Sequence, residues 1–182
     1  MPDSPTRPRR ILVTGTSGSG KTTLGRRIAV AAGLPFQEID ALFHGPDWTP
    51  RPSFVEDVDR FTAQDAWVIE WQYDTVRPML AERAQLLVFL DYSRWRVMRQ
   101  VTRRTVSRRV RREELWNGNI EPSLATVLTD HEHIVRWAWR THALWPSRVA
   151  EVSRTHPGLE VVRLGRPRDA DAWLRQAFPS EA

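Results

Sequence analysis

The chain has 182 residues, 41% hydrophobic and 27% charged, an ordinary mix for one globular domain with a sizeable core. It has no cysteine, which excludes disulfides, a thiol nucleophile and thiolate metal sites and agrees with a reducing cytoplasm, the expected location. The net charge of +5 favours anionic partners, and no apolar run reaches the length of a membrane span, so no membrane partner is expected. Residues 1–8 read as a disordered, proline-containing tail without the apolar stretch of a signal peptide. From there the pattern alternates strand and helix. Arg10 to Thr14 is a short buried strand, Lys21 to Ala32 a helix stopped by Gly33, and Pro35 to Asp40 a second strand. His44 to Ser53 holds three prolines and a glycine and reads as a loop. Ser53 is placed to cap a helix to about Asp65, with Glu56 at the capping-box position. Trp67 to Trp71 is a third strand, followed by a helix through Glu82. Gln85 to Asp91 is apolar on both faces, the mark of a fully buried strand. A long basic helix runs from Ser93 to about Glu114, a break spans Trp116 to Pro122, and another helix runs from Asp130 to about Arg154. Leu159 to Gly165 is the fifth strand and Asp169 to Phe178 the closing helix. Apolar strands alternating with helices imply an α/β domain with a parallel sheet covered on both faces, and residues 9–182 show no internal boundary.

The strongest chemical signal follows the first strand. Gly15-x-x-x-x-Gly20-Lys21-Thr22 is a complete P-loop in the required context, strand before and helix after. Its glycines let the chain turn with the amides inward, so that Gly15, Thr16, Ser17, Gly18, Ser19, Gly20, Lys21, Thr22 and Thr23 cradle phosphate oxygens at the positive end of a helix. Lys21 reaches the outer phosphates and the Thr22 hydroxyl is suited to Mg²⁺. Lys21 is the only lysine in a chain with 27 basic residues. Arginine serves everywhere else, and a compact ammonium is kept where a planar guanidinium does not fit.

A magnesium site also asks for an acid at a nearby strand end. Three candidates stand there: Asp91, Glu70, and the pair Glu38 and Asp40, which on a strand would leave the same face. Between residues 94 and 112 the chain carries many arginines and no acid. Arg99 and Arg103 share one face of that helix, and Arg104, Arg108 and Arg112 another. One face could point at a transferring phosphoryl group, with Arg103, Arg108 and Arg112 as the candidate catalytic cations, while most of the arginines form a solvated basic face. The same stripe is the only feature that favours nucleic acid, and no reading motif accompanies it. Asp130-His-Glu-His133 is not a metal motif, because helical residues two apart point to different sides. Trp137, Trp139 and Trp145 read as packing residues. Trp48 and Trp71 sit where either could stack on an acceptor ring or join the core. No Asn-Lys-x-Asp is present for guanine, which disfavours a GTPase switch.

Taken together, the P-loop, Ile39-Asp-Ala-Leu-Phe-His-Gly-Pro-Asp-Trp48, Trp67-Val-Ile-Glu-Trp-Gln-Tyr73 and Arg112-Glu-Glu-Leu-Trp-Asn-Gly118 resemble the adenylate-kinase-like P-loop kinases, most closely the topology modulation protein subgroup, over about residues 9–178. The resemblance implies a three-layer P-loop NTPase fold with a five-stranded parallel sheet in the order 2-3-1-4-5. It implies ATP and Mg²⁺ as cofactors and a helical lid, here about residues 103–122, carrying arginines. It implies that the loop Gly165-Arg166-Pro167-Arg168 packs on the adenine, and it carries the role of acceptor and magnesium acid to Asp40 and Glu38. The subgroup often has Ile-Asp-Gly-Asn-Tyr where this chain has Ile69-Glu-Trp-Gln-Tyr73, so the acceptor pocket differs: glycine lets a substrate approach the backbone and tryptophan does not. The expected activity is phosphoryl transfer from Mg·ATP to a small molecule, a nucleoside or nucleotide among the candidates. Thr22 and Asp91, Glu38 or Glu70 would hold the metal, and Asp40, Trp48, Glu70 and Trp71 the acceptor side. The rival is a non-catalytic ATP-binding regulator that offers its arginine face to nucleic acid.

Overall fold

Five short apolar runs pair into one parallel sheet in the order β2-β3-β1-β4-β5. The computed structural model describes residues 7–111, 114–119 and 134–179. The strands are β1 (Arg10–Gly15), β2 (Phe36–Gln37), β3 (Trp67–Glu70), β4 (Leu86–Leu90) and β5 (Glu160–Leu164). The helices are α1 (Lys21–Ala32), α2 (Ile39–Phe43), α3 (Phe54–Thr62), α4 (Arg77–Arg83), α5 (Arg94–Arg111), α6 (Ile134–Thr141), α7 (Trp145–Thr155) and α8 (Pro167–Ala177). The fold class and strand order agree with the sequence expectation.

Strand periodicity divides the core into two layers. Leu12, Trp67, Ile69, Leu87 and Phe89 face one side, where Ile39, Phe54, Val58, Leu80, Trp145 and Val149 bring α2, α3, α4 and α7 against the sheet. Ile11, Val13, Val68, Leu86, Val88 and Leu90 face the other, packed by Leu24 and Ile28 of α1, Val97 of α5 and Leu174 of α8. β1 is central and wholly buried beyond Arg10, so its carboxyl end presents the P-loop at the middle of the sheet. The register puts Gly15 beside Leu90 and Leu90 beside Leu164, which aligns the carboxyl ends of β1, β4 and β5.

Three local expectations are corrected. β2 stops at Gln37, and Ile39–Phe43 is helical, because Ile39, Leu42 and Phe43 at spacings three and four reach the core together. Ser53 makes no backbone cap, and its Oγ donates instead to Asp57 Oδ2 at 2.8 Å. The helix expected from Asp130 to Arg154 is divided: α6 and α7 are separated by a single 3₁₀ turn at His142–Leu144, with Pro146 admitted in the first turn of α7. The Asp130-His-Glu-His133 segment lies outside the described residues, as do residues 1–6 of the expected tail. No described helix is long and apolar enough to cross a membrane.

Candidate active site

The P-loop is built as its glycines require. Gly15 and Gly18 hold φ of 146° and 86°, which side chains rarely adopt. A Cβ on Gly15 would lie 2.7 Å from Ser19 Oγ and 2.8 Å from the Leu90 carbonyl; one on Gly18 would lie 2.6 Å from Val101 Cβ. The second clash shows that α5 rests directly on the loop. Thr16, Ser19 and Lys21 are buried, Ser17, Gly18, Gly20 and Thr22 are half-buried, and Thr23 is exposed. Ser19 Oγ has no hydrogen-bond partner among the described residues.

One carboxylate reaches this cradle directly. Glu70, at the end of β3 and 1% exposed, accepts a hydrogen bond from Thr22 Oγ1 at 2.7 Å on Oε1. Its second oxygen, Oε2, is buried without a partner among the described residues. Burial pushes the Glu70 carboxyl up to about 7. The Lys21 ammonium and the Thr22 hydrogen bond pull it down, and the Asp40 and Glu38 charges push it further up. Burial also pulls Lys21 below its ordinary value, against the attraction of Glu70 and Asp40 and with Arg104 adding like charge. Lys21, Glu70, Asp40, Glu38 and Arg104 therefore share one electrostatic neighbourhood.

Asp40 sits in the first turn of α2 rather than on a strand. Its Oδ1 accepts from Gln72 Nε2 at 2.9 Å and from the Tyr73 hydroxyl at 2.7 Å. That hydroxyl is also 3.3 Å from His44 Nε2. Burial, then the Asp40 charge, drives the Tyr73 phenol above its ordinary range. Glu38 is turned toward Arg26, at 2.9 Å.

Next to this network two turns are fastened together. Gly45–Thr49 and Leu115–Asn119 have the same form: the first amide bonds to the fifth carbonyl at 2.7 Å in each, and the third residue, Asp47 or Asn117, is left-handed. Asn119 joins them, donating to the Gly45 and Trp116 carbonyls at 2.8 Å and accepting from the Trp48 amide at 2.9 Å. His44 stacks on Trp116 at 5.9 Å and meets the edge of Trp48 at 5.1 Å. The half-buried Trp48 thus lies beside the network of Asp40, Tyr73 and His44.

Other expected residues are placed elsewhere. Trp71 is a core residue: it is buried, its Nε1 donates to the Arg77 carbonyl at 3.0 Å, and it meets Trp145 edge-on. Strand parity explains this, since Trp67, Ile69 and Trp71 share the face opposite Val68 and Glu70. Asp91 pairs with Arg163 of β5 rather than turning toward Thr22. Arg103 is exposed and Arg108 half-buried, and Arg112 lies outside the described residues. The arginine that acts on Lys21 is Arg104, which the sequence grouped with Arg108 and Arg112 on one face but did not single out as a catalytic candidate. Arg166 is exposed at the start of α8, just past the end of β5. Among the described residues no three His, Asp or Glu side chains gather as a metal cage.

No protein-family model matches the chain, and no functionally curated protein matches its sequence. Solved structures do match. A gluconokinase from Sinorhizobium meliloti 1021 is 22% identical, with 94% of each chain covered and a TM-score of 0.52. The shikimate kinase of Aquifex aeolicus is 12% identical over 92% of each chain at a TM-score of 0.47. A sugar kinase from Janibacter sp. HTCC2649 is 20% identical, covering 93% of this chain and 91% of that one, also at 0.47. The first of these, with the sheet order, places the chain in the fold of the P-loop kinases.

Proposed function

We propose that the protein is an ATP-dependent phosphotransferase that moves the γ-phosphoryl group of Mg·ATP to a hydroxyl of a small molecule, in the manner of the adenylate-kinase-like group and its topology modulation proteins. The observation that carries this reading is the meeting of two half-sites. Lys21, Thr22 and Glu70 stand on the phosphate cradle, and Asp40 stands close enough to perturb both Lys21 and Glu70 from the acceptor side.

The residues fit Mg²⁺. This ion keeps several waters and takes phosphate oxygens, so it needs one or two protein groups rather than a cage. The Thr22 hydroxyl and the unpartnered Glu70 Oε2 are such groups. When bound, the metal supplies positive charge to the phosphate oxygens. The protein supplies the rest. The amides from Gly15 to Thr22 orient the phosphates. Lys21 brings a desolvated positive charge to the outer phosphate, and Arg104 adds a second beside it. Asp40, held by Gln72 and Tyr73, orients the acceptor hydroxyl and takes its proton as the new bond forms. Arg108 on α5 would serve as a lid cation, as would Arg112, which lies outside the described residues; Arg103 is on the outer face of α5, and Arg166 would meet the adenine from the loop after β5.

The test is ADP release from Mg·ATP, alone and with a panel of hydroxylated acceptors, beside Lys21→Ala. We expect one acceptor class to raise the rate by orders of magnitude and the substitution to abolish it. Tight ATP binding with no acceleration by any acceptor would overturn the assignment.

A further inference from the structure

The acceptor side has a chemistry of its own. Two neutral donors, Gln72 and Tyr73, both satisfy the same oxygen of Asp40, Oδ1. Each donor has a single acceptor there, so the carboxylate is fixed in orientation with Oδ2 left for a ligand hydroxyl. Tyr73 is itself anchored: its ring stacks on Phe43 at 4.1 Å, and its backbone is held left-handed at φ 63°. Because its proton goes to Asp40, the phenol oxygen is an acceptor toward His44 Nε2. A neutral His44 that donates through Nε2 keeps a lone pair on Nδ1. That Nδ1 is buried and has no partner among the described residues. Beside it stand the flat faces and edges of Trp48 and Trp116.

Charge completes the description. Ile39–Phe43, the stretch 44–50, residues 71–73 and the described turn 114–119 contain no lysine or arginine. Among the described residues, three arginines near the 39–50 and 71–73 stretches are engaged with acids: Arg26 with Glu38 at 2.9 Å, Arg51 with Asp57 at 3.0 Å, and Arg77 with Asp74. The cations of the site, Lys21 and Arg104, belong to the phosphate half. A carboxylate or phosphate on the acceptor would meet the acids Asp40 and Glu38, while Arg26, Arg51 and Arg77 are already engaged with acids, so this side of the site discriminates against an anionic acceptor.

We infer that the acceptor is an uncharged polyhydroxylated compound, a sugar or polyol, taken up with one hydroxyl on Asp40 Oδ2, another on His44 Nδ1, and its C–H face against Trp48 and Trp116. Gln72 and Tyr73 are positioning residues that act through Asp40. This rests on the phosphotransferase reading and names the substrate class of the same site. Hydroxyls satisfy both a carboxylate and an imidazole lone pair as donors, and an indole accepts an apolar sugar face without a charge partner.

The test separates binding from turnover. Full-length protein saturated with Mg²⁺ and a non-hydrolysable ATP analogue is probed by saturation-transfer NMR. The panel holds neutral pentoses, hexoses and polyols, the matching aldonic and uronic acids, nucleosides, and nucleoside monophosphates. We expect neutral sugars or polyols to bind at least tenfold more tightly than their acids. His44→Gln and Trp116→Ala should each weaken that binding about tenfold, with the nucleotide analogue still bound. Tyr73→Phe, which keeps the ring and loses the donor, should lower kcat about tenfold while KM changes less than threefold. A preference for acids, for phosphates or for nucleosides over free sugars overturns the inference even if ADP release confirms a kinase. Selective binding of polyols without ADP release sustains it and overturns the transfer reading instead. Absence of polyol binding to wild-type protein that still binds nucleotide overturns it outright.

Discussion

Glu70→Gln isolates the carboxylate that, among the described residues, hydrogen-bonds to Thr22 of the P-loop. Glutamine keeps the shape and can still accept from Thr22 Oγ1, but it carries no charge. In the free protein the Glu70 carboxyl titrates at about 7, because burial opposes the anion. Its value is raised on folding, so the folded chain holds more protons than the unfolded chain between about 4.5 and 7, and free-protein stability falls as pH rises through that window. Binding of Mg²⁺ runs the other way, since the metal takes the ionised form. At pH 6 about one molecule in ten has Glu70 ionised, so Mg·nucleotide affinity should be about tenfold weaker than at pH 8, or about 1.4 kcal/mol. For a chain of this size that corresponds to about 3–6 °C of ligand-induced stabilisation. The assay is thermal unfolding with and without Mg²⁺ and a non-hydrolysable ATP analogue at pH 6, 7 and 8. The nucleotide has its own titration, but that is common to both proteins, and the difference between wild type and Glu70→Gln is the reading. We expect the ligand-induced shift to grow with pH in wild type and to grow distinctly less in the variant. Equal pH dependence in the two would refute the assignment of Glu70 as the metal-side acid.

Other substitutions probe neighbouring parts of the argument. Asp91→Asn should change the Mg²⁺ requirement less than twofold by titration of ADP release, because Asp91 faces Arg163 and not Thr22. Gly18→Ala should cost about 2–4 kcal/mol by chemical denaturation, from a left-handed backbone plus a Cβ 2.6 Å from Val101 Cβ, whereas Gly20→Ala, equally left-handed but with open space, should cost about 1 kcal/mol. Asn119→Ala removes two hydrogen bonds between the two turns and one within its own, and should cost about 2–3 kcal/mol, with a larger rise in acceptor KM than in nucleotide KM.

The parts of the molecule that repeat a period were legible in the sequence. The apolar strands and the helix that follows the P-loop stand where the sequence set them, and the family resemblance supplied the strand order that the structure bears out. Parity along β3 also carried more than was read from it. Trp67 and Ile69 are core-facing, so Trp71 follows them and Glu70 takes the other face, toward Thr22. What no period could give was the environment of Asp40. Its partners come from residues 32 and 33 positions away, brought near only when β2 and β3 pair. The joining of the 45–49 and 115–119 turns is of the same kind, a contact across more than 70 positions made by one asparagine side chain.

The arginine helix shows how packing selects a few groups from an abundance. Val97, Val101 and Thr105 are the buried stripe of α5, and Val101 lies against Gly18 of the P-loop. At about 100° per residue, Arg104 stands about 60° from Val101, and Arg108 about 20° from it but about 10 Å further along the axis. Arg103 stands about 160° away, on the outer face, where it is exposed. Arg104 is therefore the arginine beside Lys21, and Arg108 continues the same face away from the loop. A chain with one lysine thus sets an arginine beside it through the spacing of the buried stripe of α5. Arg104→Gln should accordingly lower phosphoryl transfer by tenfold or more, while Arg103→Gln changes it less than twofold. Equal losses in the two, measured as kcat/KM for the nucleotide, would show that helix orientation does not select the working arginine.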